Sequence, residues 1–142
     1  MEKIGKRINC TSTKIKRVVD NLDSLKQIEN ISGTNGFILV YIDKSKNDVY
    51  QKDIEREFGI TRSTASNIIS LMEKKNLIVR EKVDGDLRLK KLTLTDTAKN
   101  YTHALLNDLE NFEKKLTKDI SKEELEMFVS VLNKIENNLR KD

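Results

Sequence analysis

Apolar side chains at Ile4, Ile8, Ile15, Val18, Leu22 and Leu25 step along the chain by fours and threes, with Thr11 filling the one gap. That near-3.5-residue period predicts a helix over residues 4–28 with a narrow apolar seam. Ser32-Gly33-Thr34-Asn35-Gly36 reads as a break. Phe37 to Ile42 is apolar throughout and fits a buried strand or a buried helix, between which periodicity does not choose. Residues 43–48 read as a polar loop.

The next stretch is more explicit. Tyr50 to Phe58 predicts a short helix, with Ile54 and Phe58 on one face. Gly59 is the residue expected where a helix ends in a left-handed turn, Ile60 is an apolar plug, and Thr61 is an N-cap candidate. A second helix follows from about Arg62 to Lys75, with Ala65, Ile68, Ile69 and Met72 apolar and Asn76 as its stop. Leu77-Ile78-Val79 opens a strand. Alternation on both sides of Asp84-Gly85 predicts a β-hairpin. Thr95-Asp96 starts a long helix through Ala98, Tyr101, Leu105, Leu109, Phe112 and Leu116. Ser121 with Glu124 forms a capping box ahead of a last helix whose seam is Leu125, Phe128, Leu132, Ile135 and Leu139.

Composition agrees. The chain has 142 residues, no Pro and five Gly, which suits one mainly α-helical domain with a small hairpin. One Cys excludes an intramolecular disulfide framework. Without a long apolar run or a secretory leader, the expected setting is soluble and cytoplasmic, with no membrane partner. Net charge is +4. Lys and Arg outnumber Asp and Glu by seven to four over residues 1–30 and by eleven to eight over 51–100, whereas acids lead by nine to seven over 101–142. A basic excess of this size is compatible with nucleic acid without demanding it.

The order helix, three-residue turn, helix, hairpin is that of a winged helix-turn-helix. Ala65, Ile69 and Met72 would hold the second helix to the core, leaving Thr61, Arg62, Ser63, Ser66, Asn67 and Ser70 outward. Arg can take a guanine edge with two hydrogen bonds, Asn an adenine edge, and hydroxyls reach base or phosphate. Small side chains let such a helix sink into a major groove. An ordinary solvated face usually carries long Lys, Glu and Gln instead. The hairpin adds Lys82, Arg88, Lys90 and Lys91. Arg88 beside the tip suits the narrow minor groove, with Asp86 as the carboxylate that orients it. An exposed ion pair of little energetic value is the other reading of that pair.

Ile60 to Arg80, followed by Asp86-Leu87-Arg88 and Leu94-Thr95, resembles the MarR (multiple-antibiotic-resistance regulator) family of winged helix-turn-helix regulators. The carrying features are the Thr/Ser-rich helix, the Glu73-Lys74-Lys75-Asn76-Leu77 exit, Arg80 at the strand start, the Asp-x-Arg wing and the Leu-Thr lead-in. Asn76 and Ala98 stand where the family commonly has Gly, and Asp84-Gly85 makes a compact wing. The resemblance implies a homodimeric DNA-binding regulator, a repressor, released from DNA by a small-molecule effector or an oxidant. It divides the chain into dimerisation helices at 1–30 and 97–142 around a winged helix-turn-helix at 34–95, with the helix-turn-helix near 50–75 and the wing near 78–94. The DNA-facing set it implies is Thr61, Arg62, Ser63, Ser66, Asn67, Ser70, Arg88 and Lys90, with Asp86 supporting the wing. Ile8, Ile15, Leu22, Leu125, Phe128, Leu132 and Ile135 are its dimer contacts, though a stripe facing the chain's own core fits those seams too.

Other candidates are sparse. Some relatives sense oxidants through an N-terminal Cys, which makes Cys10 a redox candidate beside the plainer reading of an inert thiol. His103 alone does not make a zinc site, so no metal or cofactor is expected. Phe37 and Tyr41 fit a ligand cleft or the core. No nucleophile elbow, phosphate loop or ligand cluster points to an enzyme. A winged helix that binds a protein partner is the alternative; it has no need of a small, cationic face at 61–67.

Overall fold

The computed structural model describes residues 2–26 and 33–140, with Leu87 described by its backbone alone. Contacts divide the chain into two compact units, residues 1–110 and 111–142. Its elements are α1 (Ile4–Asp20), α2 (Asp23–Lys26), α3 (Gly33–Lys44), α4 (Gln51–Phe58), α5 (Arg62–Lys74), β1 (Ile78–Val83), β2 (Asp86–Leu94), α6 (Asp96–Leu116) and α7 (Lys122–Leu139). The mainly helical fold with one hairpin is the expected one.

The N-terminal region departs from expectation. The first helix stops at Asp20 rather than near 28. The Asn21 side chain donates to the Arg17 carbonyl at 2.7 Å, and the Leu22 carbonyl accepts from Leu25 and Lys26, so Leu22 sits half-buried in a turn. The part of the expected helix beyond Lys26 lies outside the described residues, as does Ser32. Gly33 to Gly36 is not a break but the first turn of α3, and Phe37 to Ile42 is helix. The reason is close packing. A Cβ on Gly33 would lie 2.5 Å from Val19 Cγ1, and one on Gly36 2.8 Å from Leu25 Cδ2. Asp20 Oδ1 accepts from the Gly33 N–H and so satisfies one of the free donors at the start of the helix. The residue α1 buries is Val19, while its neighbour Val18 stays exposed.

The core of this unit joins Val19, Leu25, Ile38, Leu39, Ile54, Ile69, Met72, Leu77, Ile78 and Leu105. β1 and β2 pair antiparallel from Ile78 with Leu94 to Lys82 with Lys90, and the register shifts between Lys82 and Val83 at the turn. A third backbone joins at the hairpin root, where the Leu92 N–H donates to the Val49 carbonyl at 2.7 Å. Thr95 caps α6, accepting from the Ala98 N–H and donating to the Asn76 carbonyl.

In the second unit α7 begins with the expected box. Glu124 N–H donates to Ser121 Oγ at 3.2 Å, and Ser121 N–H donates to the Glu124 carboxylate at 2.8 Å. Those bonds, the backbone one foremost, hold the Glu124 carboxyl below its ordinary range. α7 buries none of its residues, and Met127, Phe128, Val129, Val131 and Leu139 are exposed.

Candidate nucleic-acid interface

α4 starts at Tyr50, whose N–H donates to Asp53 Oδ2 at 2.8 Å. It ends at Gly59 with φ of 60°, where the missing Cβ removes the penalty for a left-handed turn. Ile60 and Thr61 complete the three-residue turn. Thr61 Oγ1 then accepts from the Thr64 N–H at 3.1 Å, so α5 has the N-cap its sequence predicts. At the far end Asn76 adopts φ of 57°, with Asn76 N–H donating to the Glu73 carbonyl and Leu77 N–H to that of Met72. This paired arrangement closes a helix through a left-handed residue, and Asn serves it where Gly is usual.

Burial sets the rotation of α5. Ala65, Ile69 and Met72 are fully buried. Burying Ile and Met is worth roughly 1.5–3 kcal/mol each, more than the 0–1 kcal/mol typical of surface ion pairs, so the opposite face must point outward. Thr61, Arg62, Ser63, Asn67 and Ser70 are exposed there, and Ser66 is half-buried. Gln51 Nε2 donates to the Arg62 carbonyl at 3.3 Å and ties the start of α4 to the first turn of α5.

The wing turns at Gly85, φ 87°. Arg88 and Lys90 are exposed on β2. Asp86 supports Arg88 differently from the expected ion pair. Its Oδ1 accepts from the Arg88 backbone N–H at 2.8 Å, so it orders the turn and leaves the guanidinium free of that contact. Lys91 is held 3.6 Å from Glu81, which also accepts from Thr93.

Between α4, the start of α5 and the wing lies an open cleft of about 540 Å³. Lys52, Arg62, Arg80, Arg88 and Lys90 line it, with Glu55 as the one carboxylate. Such a concentration of cations suits a polyanion. Gln51 and Lys52 are not among the residues the sequence singles out; their position in the first turn of α4 was the available signal. Ser70 is not free: its Oγ accepts from Arg80 Nη2 at 3.2 Å.

The remaining candidates are scattered. Cys10 and His103 are exposed on α1 and α6. Tyr41 packs edge-to-face on Phe58, with ring centroids 5.8 Å apart, and Phe37 is partly exposed. Among the described residues, no group of three or more His, Cys, Asp or Glu is placed to hold a metal, and no helix is long and apolar enough to cross a membrane.

Two short helices joined by a three-residue turn, the second capped and facing outward, with an adjoining hairpin, define a winged helix-turn-helix protein. Solved structures agree. The transcription regulator MarR of Oenococcus oeni superposes with a TM-score of 0.83 at 26% identity, over 95% of this chain and 99% of that one. MepR of S. aureus, solved as a DNA complex, gives 0.84 at 26% identity over 98% and 99%. Residues 29–89 match the sequence model of the MarR family, so this stretch of the chain is similar to that family of transcriptional regulators. The HTH-type transcriptional regulator YwaE of Bacillus subtilis is 31% identical over 57% of this chain and 47% of its own length. The chain spans about half the length of the curated relatives it matches.

Proposed function

We propose that this chain is a sequence-specific DNA-binding transcriptional regulator, a repressor that acts as a homodimer on a pseudo-palindromic operator. One observation carries the reading. The Thr61, Arg62, Ser63 and Asn67 side of α5 is exposed opposite a fully buried apolar face, beside a cleft with five cationic side chains. α5 enters the major groove, where Arg62 and Asn67 read base edges and hydroxyls meet phosphate. Arg88 enters the flanking minor groove, and Lys90 and Lys52 meet the backbone. The DNA complex of MepR supports this assignment.

Residues 34–95 form the DNA-binding part, and residues 1–30 and 97–142 the dimerisation part. Exposed apolar side chains support that division within each unit. Ile4, Ile8 and Val18 are exposed on α1, and Phe128 on α7 is 59% exposed; patches of this kind on a single subunit mark an interface. Ile15, Leu125, Leu132 and Ile135 are half-buried along the same helices. Two-fold symmetry then places half-sites about one helical turn apart. A small ligand, or an oxidant acting at Cys10, releases the DNA by changing the separation of the two α5 helices.

Selection of bound fragments from the chain's own genome is the test. A shared palindrome beside its own promoter is the expected result. Failure to enrich any duplex at low salt, with the protein folded and dimeric, overturns the reading.

A further inference from the structure

Arg80 occupies an inward register. Alternate residues of a strand share a face, and Ile78, two residues earlier on β1, is 1% exposed. The Arg80 side chain follows on that side and is 28% exposed. A guanidinium drawn toward a core needs acceptors for its fixed fork of donors, and α5 supplies both. Nη2 donates to Ser70 Oγ at 3.2 Å, while Nε, buried and without a hydrogen bond, lies 3.5 Å from Glu73 Oε1. Ser70 and Glu73 are three residues apart and share one side of the helix. Arg80 pairs across the hairpin with Leu92, the residue tied to Val49. The contact therefore joins the root of the wing to the outward side of α5, and the same guanidinium lines the cleft with Arg62 and Arg88.

We propose that Arg80 is a positioning residue that latches the wing to α5 through Ser70 and Glu73, and so sets where Arg88 stands relative to Arg62. This rests on the DNA-binding reading above. It moves Ser70 from base contact to latch. It also gives Glu73 a use, since a carboxylate on a DNA-facing helix otherwise repels phosphate.

The test titrates the intact chain by fluorescence anisotropy into a labelled duplex carrying the promoter region of its own gene. A latch makes Glu73→Gln and Arg80→Gln each weaken binding by about three- to ten-fold, although Glu73→Gln removes a negative charge facing DNA. It also makes Arg88→Ala cost less in the Glu73→Gln background than in the parent, because the wing is already released. A direct phosphate contact by Arg80 predicts otherwise: Glu73→Gln binds as well or better, and Arg80→Gln lowers the salt slope by about 0.9. That result, or additivity of Glu73→Gln with Arg88→Ala, overturns the latch. Hydrogen exchange of the free chain supplies a readout without DNA. Amides of residues 79–91 exchange faster in Glu73→Gln and in Arg80→Gln while those of α6 keep their rates; unchanged hairpin exchange in both also overturns it. A parent chain that binds no duplex defeats the DNA reading, and the exchange arm still decides whether Arg80 holds the wing.

Discussion

At the scale of single residues, the proposed interface separates side chains assigned to DNA from side chains that hold them in place. Arg62 is exposed at the first turn of α5, its carbonyl anchored by Gln51. Arg62→Ala is expected to cost about 1–3 kcal/mol on the best duplex and to relax preference at the contacted base pair. Fragment selection repeated with the variant checks this; an unchanged consensus removes Arg62 from base reading. Arg88→Ala should instead weaken binding across sequences and flatten its dependence on salt, measured by titration at several salt concentrations. Most of the outward face of α5 was legible in the sequence, because small and hydroxyl-bearing residues opposite Ala65, Ile69 and Met72 leave little choice of rotation. Three details were not. Ser66 is half-buried, Ser70 is taken by Arg80, and Asp86 works through the Arg88 backbone. Each depends on where a second element comes to rest, which composition along one helix does not encode.

Among the elements, legibility follows the locality of the signal. Gly59, Thr61, Asn76, Gly85 and Ser121 each act within a few residues of themselves, so the stretch from α4 to α7 could be read in order. The glycines of α3 act across the fold, against Val19 and Leu25, and this is why they resemble a loop in sequence and form helix in space. Gly33→Ala tests that account. Helix propensity favours Ala by up to about 1 kcal/mol, but the new Cβ would meet buried Val19 at 2.5 Å. Overpacking of this kind costs about 1–3 kcal/mol, so the urea midpoint should fall; a rise shows that Val19 can withdraw. The start of α7 carries a pH signature. The Glu124 carboxyl titrates below its ordinary value of 4.5 when folded, so the unfolded chain binds the proton more readily. Its contribution is fully present above that ordinary value and lost as pH falls through the folded one. Glu124→Gln should therefore flatten the decline of the thermal midpoint under acid, and an unaltered decline shows that the box carries no such linkage.

For the whole molecule, the exposed apolar side chains of α1 and α7 are the surface that the proposed homodimer covers. Phe128 is exposed in its own unit, so Phe128→Asp leaves the subunit's packing intact while placing a charge in the proposed contact between copies. Sedimentation should show a monomer with native helical content and reduced affinity for DNA; a dimer of undiminished affinity argues that the second copy is held elsewhere. The acidic excess of residues 101–142 and the basic excess of 51–100 belong to this scale too, since they bias which end of the chain a duplex attracts. The bond between Leu92 and Val49 has a mechanical consequence. A hairpin stapled at its root and unsupported at Gly85 is a cantilever, whose stiffness falls steeply with free length. Its sway is confined to the outer span, so in the proposed complex the tip adjusts to the duplex without disturbing the helices beneath.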